Sequence, residues 1–186
     1  MPPAPGRTAW IIQETRNKKQ ETETQMPAAL MDRTDLKILA LLQQDGRLSN
    51  VELAERVALS PTPCLRRVKR LEDEGVISCY RAELDKRKLG LGVTAFVCIN
   101  IGDHGPKATE AFLSSVDLIE EIVACHVLSG QFDFLLEVVT ETLDHYASVM
   151  LDRLGGLPGV SALQTSFALR TTKSRRKLPL GHLGVR

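Results

Sequence analysis

Residues 49–77 read SNVELAERVALSPTPCLRRVKRLEDEGVI, and they decide the fold of the first half of the chain. Ser49 followed three residues later by Glu52 is a capping box that opens a short helix. Its buried side is expected to be Val51, Leu53, Ala54 and Val57, with Leu59 in the turn that follows. Ser60 caps the next helix, and Pro61 takes its first position, where no amide is needed. That helix runs to about Glu74, where Gly75 stops it. At ~100° per residue, Cys64, Leu65, Val68 and Leu71 fall within one apolar arc. Thr62, Pro63, Arg66, Lys69 and Arg70 fall on the other side, and Arg67 lies at the flank. The acidic run Glu72-Asp73-Glu74 is confined to the last turn, so the positive charge lies early in the helix.

Two short helices, a tight turn and a basic face near the second helix's N-terminus suit duplex DNA. Phosphates attract Lys and Arg and set affinity, and helix N-terminal amides accept phosphate. A major groove admits one helix, where Arg can bond guanine and small side chains can meet the thymine methyl. An isolated basic helix is more often a solvated surface. The preceding helix and the short turn favour a DNA reader here.

Working outward, a first helix is predicted over about Thr34–Gln44. Asp32 is its cap, Asp35 adds charge to its first turn, and Leu36, Leu39 and Leu42 with Ile38 form its apolar face. Residues 1–30 are rich in Pro, Gln, Thr and Glu with no sustained period and are expected to be disordered. Met26 and Met31 are alternative starts for an over-extended leader, which mass spectrometry of the native chain would decide. After Gly75, alternation over Val76–Leu84 suggests a strand or short wing, followed by a linker through Gly90. Tyr80 and Arg81 either touch a DNA backbone or belong to a hinge between domains, and the hinge is the stronger reading.

The second half has another rhythm. Val93–Ile101 alternates as a strand, Pro106 opens a helix holding Ala108, Ala111, Phe112 and Val116, and strands are predicted at about Ile119–Leu128 and Phe132–Val139. A helix over about Leu143–Leu154 and a strand over about Ser161–Leu169 complete βαββαβ, a ferredoxin-like sandwich with helices on one sheet face. The other face also carries apolar residues and is expected to be covered by a second subunit.

Charge divides the chain. Residues 91–169 carry ten Asp and Glu against two Lys and Arg, whereas residues 170–186 carry six basic groups and no acidic one. Nucleic acid contact therefore belongs to the first half, with the tail expected to be solvated. Four scattered cysteines, Cys64, Cys79, Cys98 and Cys125, fit buried hydrophobes in a reducing cytoplasm better than disulfides or zinc. No apolar run reaches membrane-span length, and no nucleophile triad, phosphate loop or metal-ligand spacing is evident. Neither a catalytic site nor a metal is expected.

The run from Leu48 to Ile77, its entry MDRTDLKILALLQQDGR, the turn SGQFD before FLLEV, and LPGV near the end resemble the Lrp/AsnC family of feast/famine transcriptional regulators. The resemblance covers about Met31 to Leu180, and the leader and Cys79, where the family usually has Gly, depart from it. It implies an α+β protein. Residues 31–90 would be a winged helix-turn-helix DNA-binding domain and linker, 91–170 an αβ-sandwich amino-acid-binding and oligomerisation domain, and 171–186 a basic tail. It implies homodimers that assemble further, commonly into octamers, with a free amino acid as effector bound between neighbouring dimers and no other cofactor.

By motif, Ser60, Thr62, Pro63, Arg66 and Arg70 would lie at double-stranded DNA, with Arg67 and Lys69 beside them. Ser129, Gly130, Gln131, Phe132 and Asp133 would form the ligand turn, near a wall of His126, Val127, Leu143, Phe167, Ala168 and Leu169. Glycine lets backbone amides approach a carboxylate, and Asp133 would receive an ammonium. The apolar wall points to a hydrophobic amino acid. Two other functions stay open. One is a sirohaem decarboxylase-like enzyme on the same architecture, disfavoured by the scarcity of basic groups in residues 91–169. The other is a nucleoid architectural protein of low sequence preference.

Overall fold

The computed structural model describes residues 31–173 and 177–183; the leader expectation lies outside them. The chain divides into two compact units. Residues 31–83 together with the described part of 172–183 form a helical unit, and Leu84–Thr171 form a sheet unit.

The helical unit holds α1 (Arg33–Leu42), α2 (Asn50–Arg56) and α3 (Pro61–Asp73). Asp32 caps α1 by accepting from the amides of Thr34 and Asp35, and Asp35 returns a bond to the Asp32 amide, a complete capping box. Ser49 and Glu52 do the same for α2. The core is Ile38, Leu39, Leu53, Ala54, Val57, Cys64 and Leu71, which lose their contact with water where the three helices meet. Asn50 Nδ2 donates to the Pro61 carbonyl at 2.8 Å and ties the start of α2 to the start of α3.

Several expectations are corrected. Val51 is 54% exposed because it stands ~200° around the helix from Leu53. Leu65 is 46% exposed, at the edge of the apolar arc beside Arg66 and Lys69. Ser60 occupies the cap position of α3, but its hydroxyl accepts no helix amide. Such a cap bonds the second or third amide of the helix, and the third residue is Pro63, which has none. Residues 76–84 contain no strand. The Ile77 amide turns back to the Leu71 carbonyl, Tyr80 Oη meets Glu72 Oε1 at 2.8 Å, and among the described residues no strand pairs with this segment. Burial, and then Glu72, push the Tyr80 phenol up to about 12. Cys79 lies in this segment and is exposed rather than buried. The tail is not wholly solvated: Leu180 packs against the helical core, and the Leu178 amide donates to Gln43 Oε1.

The turn between α2 and α3 is closed by Ala58 N to Glu55 O and Leu59 N to Ala54 O, the Schellman pattern. It puts Ala58 at φ 58°, in the left-handed region that glycine tolerates better.

The sheet unit contains β1 (Val93–Ile101), α4 (Pro106–Val116), β2 (Ile122–Val127), β3 (Phe134–Thr140), α5 (Leu143–Asp152) and β4 (Val160–Phe167). This is the expected βαββαβ order, with the strands in the spatial order β2-β3-β1-β4 and every neighbouring pair antiparallel. Alternation places Ala95, Val97, Ile99 and Ile101 of β1 and Phe134, Leu136 and Val138 of β3 in one core with Phe112, Val116, Tyr146 and Val149 of the helices. Strand β3 begins at Phe134 rather than Phe132, because the preceding residues close a turn through Leu128 N to Asp133 O. Phe96 is partly exposed and Cys98 half-buried on the opposite face. No helix among the described residues is long and apolar enough to cross a membrane.

Two outcomes are expected. Ala58→Gly removes the left-handed strain, partly offset by a freer unfolded chain, and should raise stability by about 0.5–1 kcal/mol in denaturant titration. Burial pushes the Asp32 carboxyl up, but bonds from Asp35 and Arg67 outweigh this and hold it below its ordinary value. The contribution of Asp32 is therefore complete above the unfolded value of about 4 and is lost as pH falls through the lower folded value. Unfolding midpoints measured down the acid range should drop, and Asp32→Asn should flatten that part of the profile.

Candidate functional site

Two constellations stand out, one in each unit. On α3, Thr62, Leu65, Arg66, Lys69, Arg70, Asp73 and Glu74 line a shallow open groove along the exposed side of the helix. Ser60 and Thr62 are exposed at its start and Pro63 is half-buried. With Pro61 and Pro63 contributing no amide, Thr62 carries the N–H that the first turn leaves facing outward. Arg66 and Lys69 are exposed, and among the described residues neither enters an ion pair. The face thus presents two cations outside ion pairs, the paired Arg70 at its edge, two hydroxyls and one amide to whatever lies against it.

Arg67 and Arg70 are placed differently. Arg67 Nη1 lies 2.7 Å from Asp32 Oδ2 and 2.8 Å from Asp35 Oδ1, and Arg70 Nη2 lies 2.6 Å from Asp35 Oδ2. Arg70 Nε stands 3.7 Å from Glu74. Asp35 is fully buried, and the bonds to both acids raise the Arg67 pKa further. Sequence reasoning placed Asp35 only as first-turn charge and missed this network. The available signal was that Asp35 shares the i, i+3, i+4 and i+7 face of Ile38, Leu39 and Leu42. An acid on an apolar face requires a cationic or donor partner.

In the sheet unit, residues 128–133 connect β2 to β3. Ser129, Gly130 and Gln131 are exposed, with Gly130 at φ 147°. Phe132 is half-buried and Asp133 buried. The Asp133 amide donates to Ile99 O at 3.0 Å and to Asn100 Oδ1 at 3.1 Å, while its Oδ2 accepts from the Ile101 amide at 2.9 Å. His104 Nδ1 stands 3.8 Å from the same oxygen. Asp133 therefore fastens the turn to the end of β1.

His126 and Val127 lie at the turn end of the edge strand β2 and are exposed. The remaining predicted residues are elsewhere. Phe167 pairs with Ala95 near the other end of β1, on the opposite edge strand, and its ring meets Tyr146 of α5 edge-on at 5.0 Å. Ala168 is half-buried and Leu169 exposed directly after Phe167, and Leu143 is exposed at the start of α5. Val127 aligns through Phe134 with Ile99, whereas Phe167 aligns with Ala95. Four residues along a strand and three interstrand spacings put the two groups roughly 20 Å apart. One chain does not bring the turn, with His126 and Val127, to the rest of the wall. Among the described residues no group of three His, Cys, Asp or Glu side chains is placed to hold a metal.

Known families match the stretches that hold both constellations. Residues 31–78 match a family described as winged helix-turn-helix DNA-binding, and residues 94–178 match the Lrp/AsnC ligand binding domain. The leucine-responsive regulatory protein of Klebsiella pneumoniae is 42% identical over 152 residues, covering 82% of this chain and 93% of that protein. The proline dehydrogenase transcriptional activator of Rhizobium radiobacter is 42% identical over 143 residues, covering 77% and 92%. A transcriptional regulator from Neisseria meningitidis, solved as its L-Met complex, superposes with a TM-score of 0.79 at 44% identity, covering 82% of this chain and 99% of that one. The chain belongs to the Lrp/AsnC family, a DNA-binding transcriptional regulator with an amino-acid-binding domain.

Proposed function

We propose that this protein is a sequence-specific regulator in the cytoplasm whose DNA affinity or assembly responds to a free apolar amino acid. The observation that carries the DNA half is the exposed face of α3, where, among the described residues, Arg66 and Lys69 enter no ion pair beside Thr62. In this reading Arg66 bonds a guanine edge, Lys69 and Ser60 meet phosphates, and Thr62 and Pro63 contact base or sugar at the groove.

The effector half rests on the separation between turn and wall. A ligand whose carboxylate meets the amides of residues 129–131 and whose ammonium faces Asp133 cannot reach Phe167 or Leu143 of the same chain. We assign the site to the junction of neighbouring copies. One copy supplies Ser129–Asp133 with His126 and Val127, and another supplies Leu143, Phe167, Ala168 and Leu169. Leucine and methionine are the first candidates, because relatives are named for a leucine response and solved with L-Met. The half-buried and exposed apolar residues on the open sheet face, Phe96 and Cys98 among them, suit a homodimer contact, with higher assembly closing the effector sites. Binding that favours one assembly over another is linkage between effector and DNA.

Three measurements check this reading. Arg66→Ala should weaken operator binding by roughly 1–3 kcal/mol and relax specificity at one base position, read by gel shift on operator and single-base variants. A thermal-shift screen of the twenty amino acids should single out one or two apolar ones, with stabilisation growing as ligand exceeds its Kd. Asp133→Asn keeps an acceptor for the Ile101 amide but removes the charge facing an ammonium. It should abolish the amino-acid shift while leaving ligand-free DNA affinity unchanged.

A further inference from the structure

Four cations crowd α3, but they fall into two sets by geometry. Among the described residues Arg66 and Lys69 stand in the exposed groove with Thr62 and enter no ion pair, while Arg67 and Arg70 bond toward α1, Arg70 from the edge of the same groove. There Asp35 offers one carboxylate oxygen to each guanidinium, at 2.8 and 2.6 Å, with the Asp32 carboxylate 2.7 Å from Arg67. The arrangement resembles what a phosphate would provide, two anionic oxygens each taking a guanidinium N–H. It is also pre-formed, because Asp35 is buried and locked by the α1 capping box. Two arginines face Asp32, Asp35 and Glu74, so their combined field toward solvent is cancelled. Drawing either arginine to DNA would leave the buried Asp35 carboxylate short of a cation, a costly state in a low-dielectric site.

We infer that Asp35 withholds Arg67 and Arg70 from DNA, so that α3 reads the duplex with Arg66 and Lys69 alone and sequence-independent phosphate attraction is kept low. The inference rests on the DNA-binding reading above, and it removes Arg67 and Arg70 from the contact set that sequence alone proposes. Arg67 and Arg70 are then positioning residues, fixing the roll of α3 on α1. Asp35 sets specificity by limiting the charge that any sequence would attract.

The test is the salt dependence of binding to operator and to random-sequence duplex, measured on the full chain. Each phosphate neutralised contributes about −0.9 to the slope of log affinity against log salt. Arg67→Gln and Arg70→Gln should each leave both slopes unchanged, whereas Lys69→Gln should flatten them by about 0.9 per bound chain. Asp35→Asn, if circular dichroism shows it folded, should steepen the random-duplex slope by up to about 1.8 per bound chain and narrow the ratio of operator to random affinity. Flattening of about 0.9 by Arg67→Gln or Arg70→Gln would overturn this inference while leaving the DNA-binding reading intact. Absence of any duplex binding by the unaltered chain would overturn the reading and the inference together.

Discussion

The constraint on which the functional architecture depends is the register of the antiparallel sheet. Side chains alternate with a period of two, so the burial of Ala95, Val97, Ile99 and Ile101 fixes β1 against both neighbours. A slip of one residue would bring Phe96 and Asn100 into the core. With the register fixed, the Ser129–Asp133 turn stands at the Ile101 end of the sheet and Phe167 at the Ala95 end. The same packing that stabilises the unit therefore separates two groups of residues that a small ligand would have to touch together. A single sheet unit is complete as a folded body and, with the effector site proposed between copies, incomplete as a binding site.

The helical unit solves a different problem with a charged group. A helix bearing Arg66, Arg67, Lys69 and Arg70 within five positions repels itself and adheres to any polyanion. Burying Asp35 against two of the three arginines orients α3 and lowers its unspecific charge in one step. Breaking such a pair from one side is costly, because it leaves the other charge stranded. The α2–α3 turn carries a second local cost, Ala58 in the left-handed region, offset by the hydrogen bonds that close the turn.

Much of this was legible in the sequence. Periodicity fixes the helices and the βαββαβ order, because apolar burial in each element is repetitive and local. The capping boxes at Asp32 and Ser49 are readable for the same reason. What escaped depends on partners distant in the chain. The strand expected over Val76–Leu84 had the alternation but no neighbour to pair with. Leu65 and Val51 were apolar without being inward. Asp133 was expected to receive an ammonium, and its bond to the Ile101 amide was not foreseen. Arg67 and Arg70 carried the right charge for DNA, yet their partner lies more than thirty residues earlier. Motif spacing reports which residues are near in the chain, and these outcomes turn on contacts between elements.

The most direct measurement of the account is complementation between two defective chains. Asp133→Asn impairs the turn and Leu143→Ser impairs the wall, and neither variant alone should bind the amino acid found by the screen in calorimetry. Co-assembled, with native mass spectrometry confirming mixed oligomers, they should regain part of the sites, since some junctions then join an intact turn to an intact wall. Mixed oligomers that bind no ligand at all would contradict a site built between copies and place the whole of it within one chain.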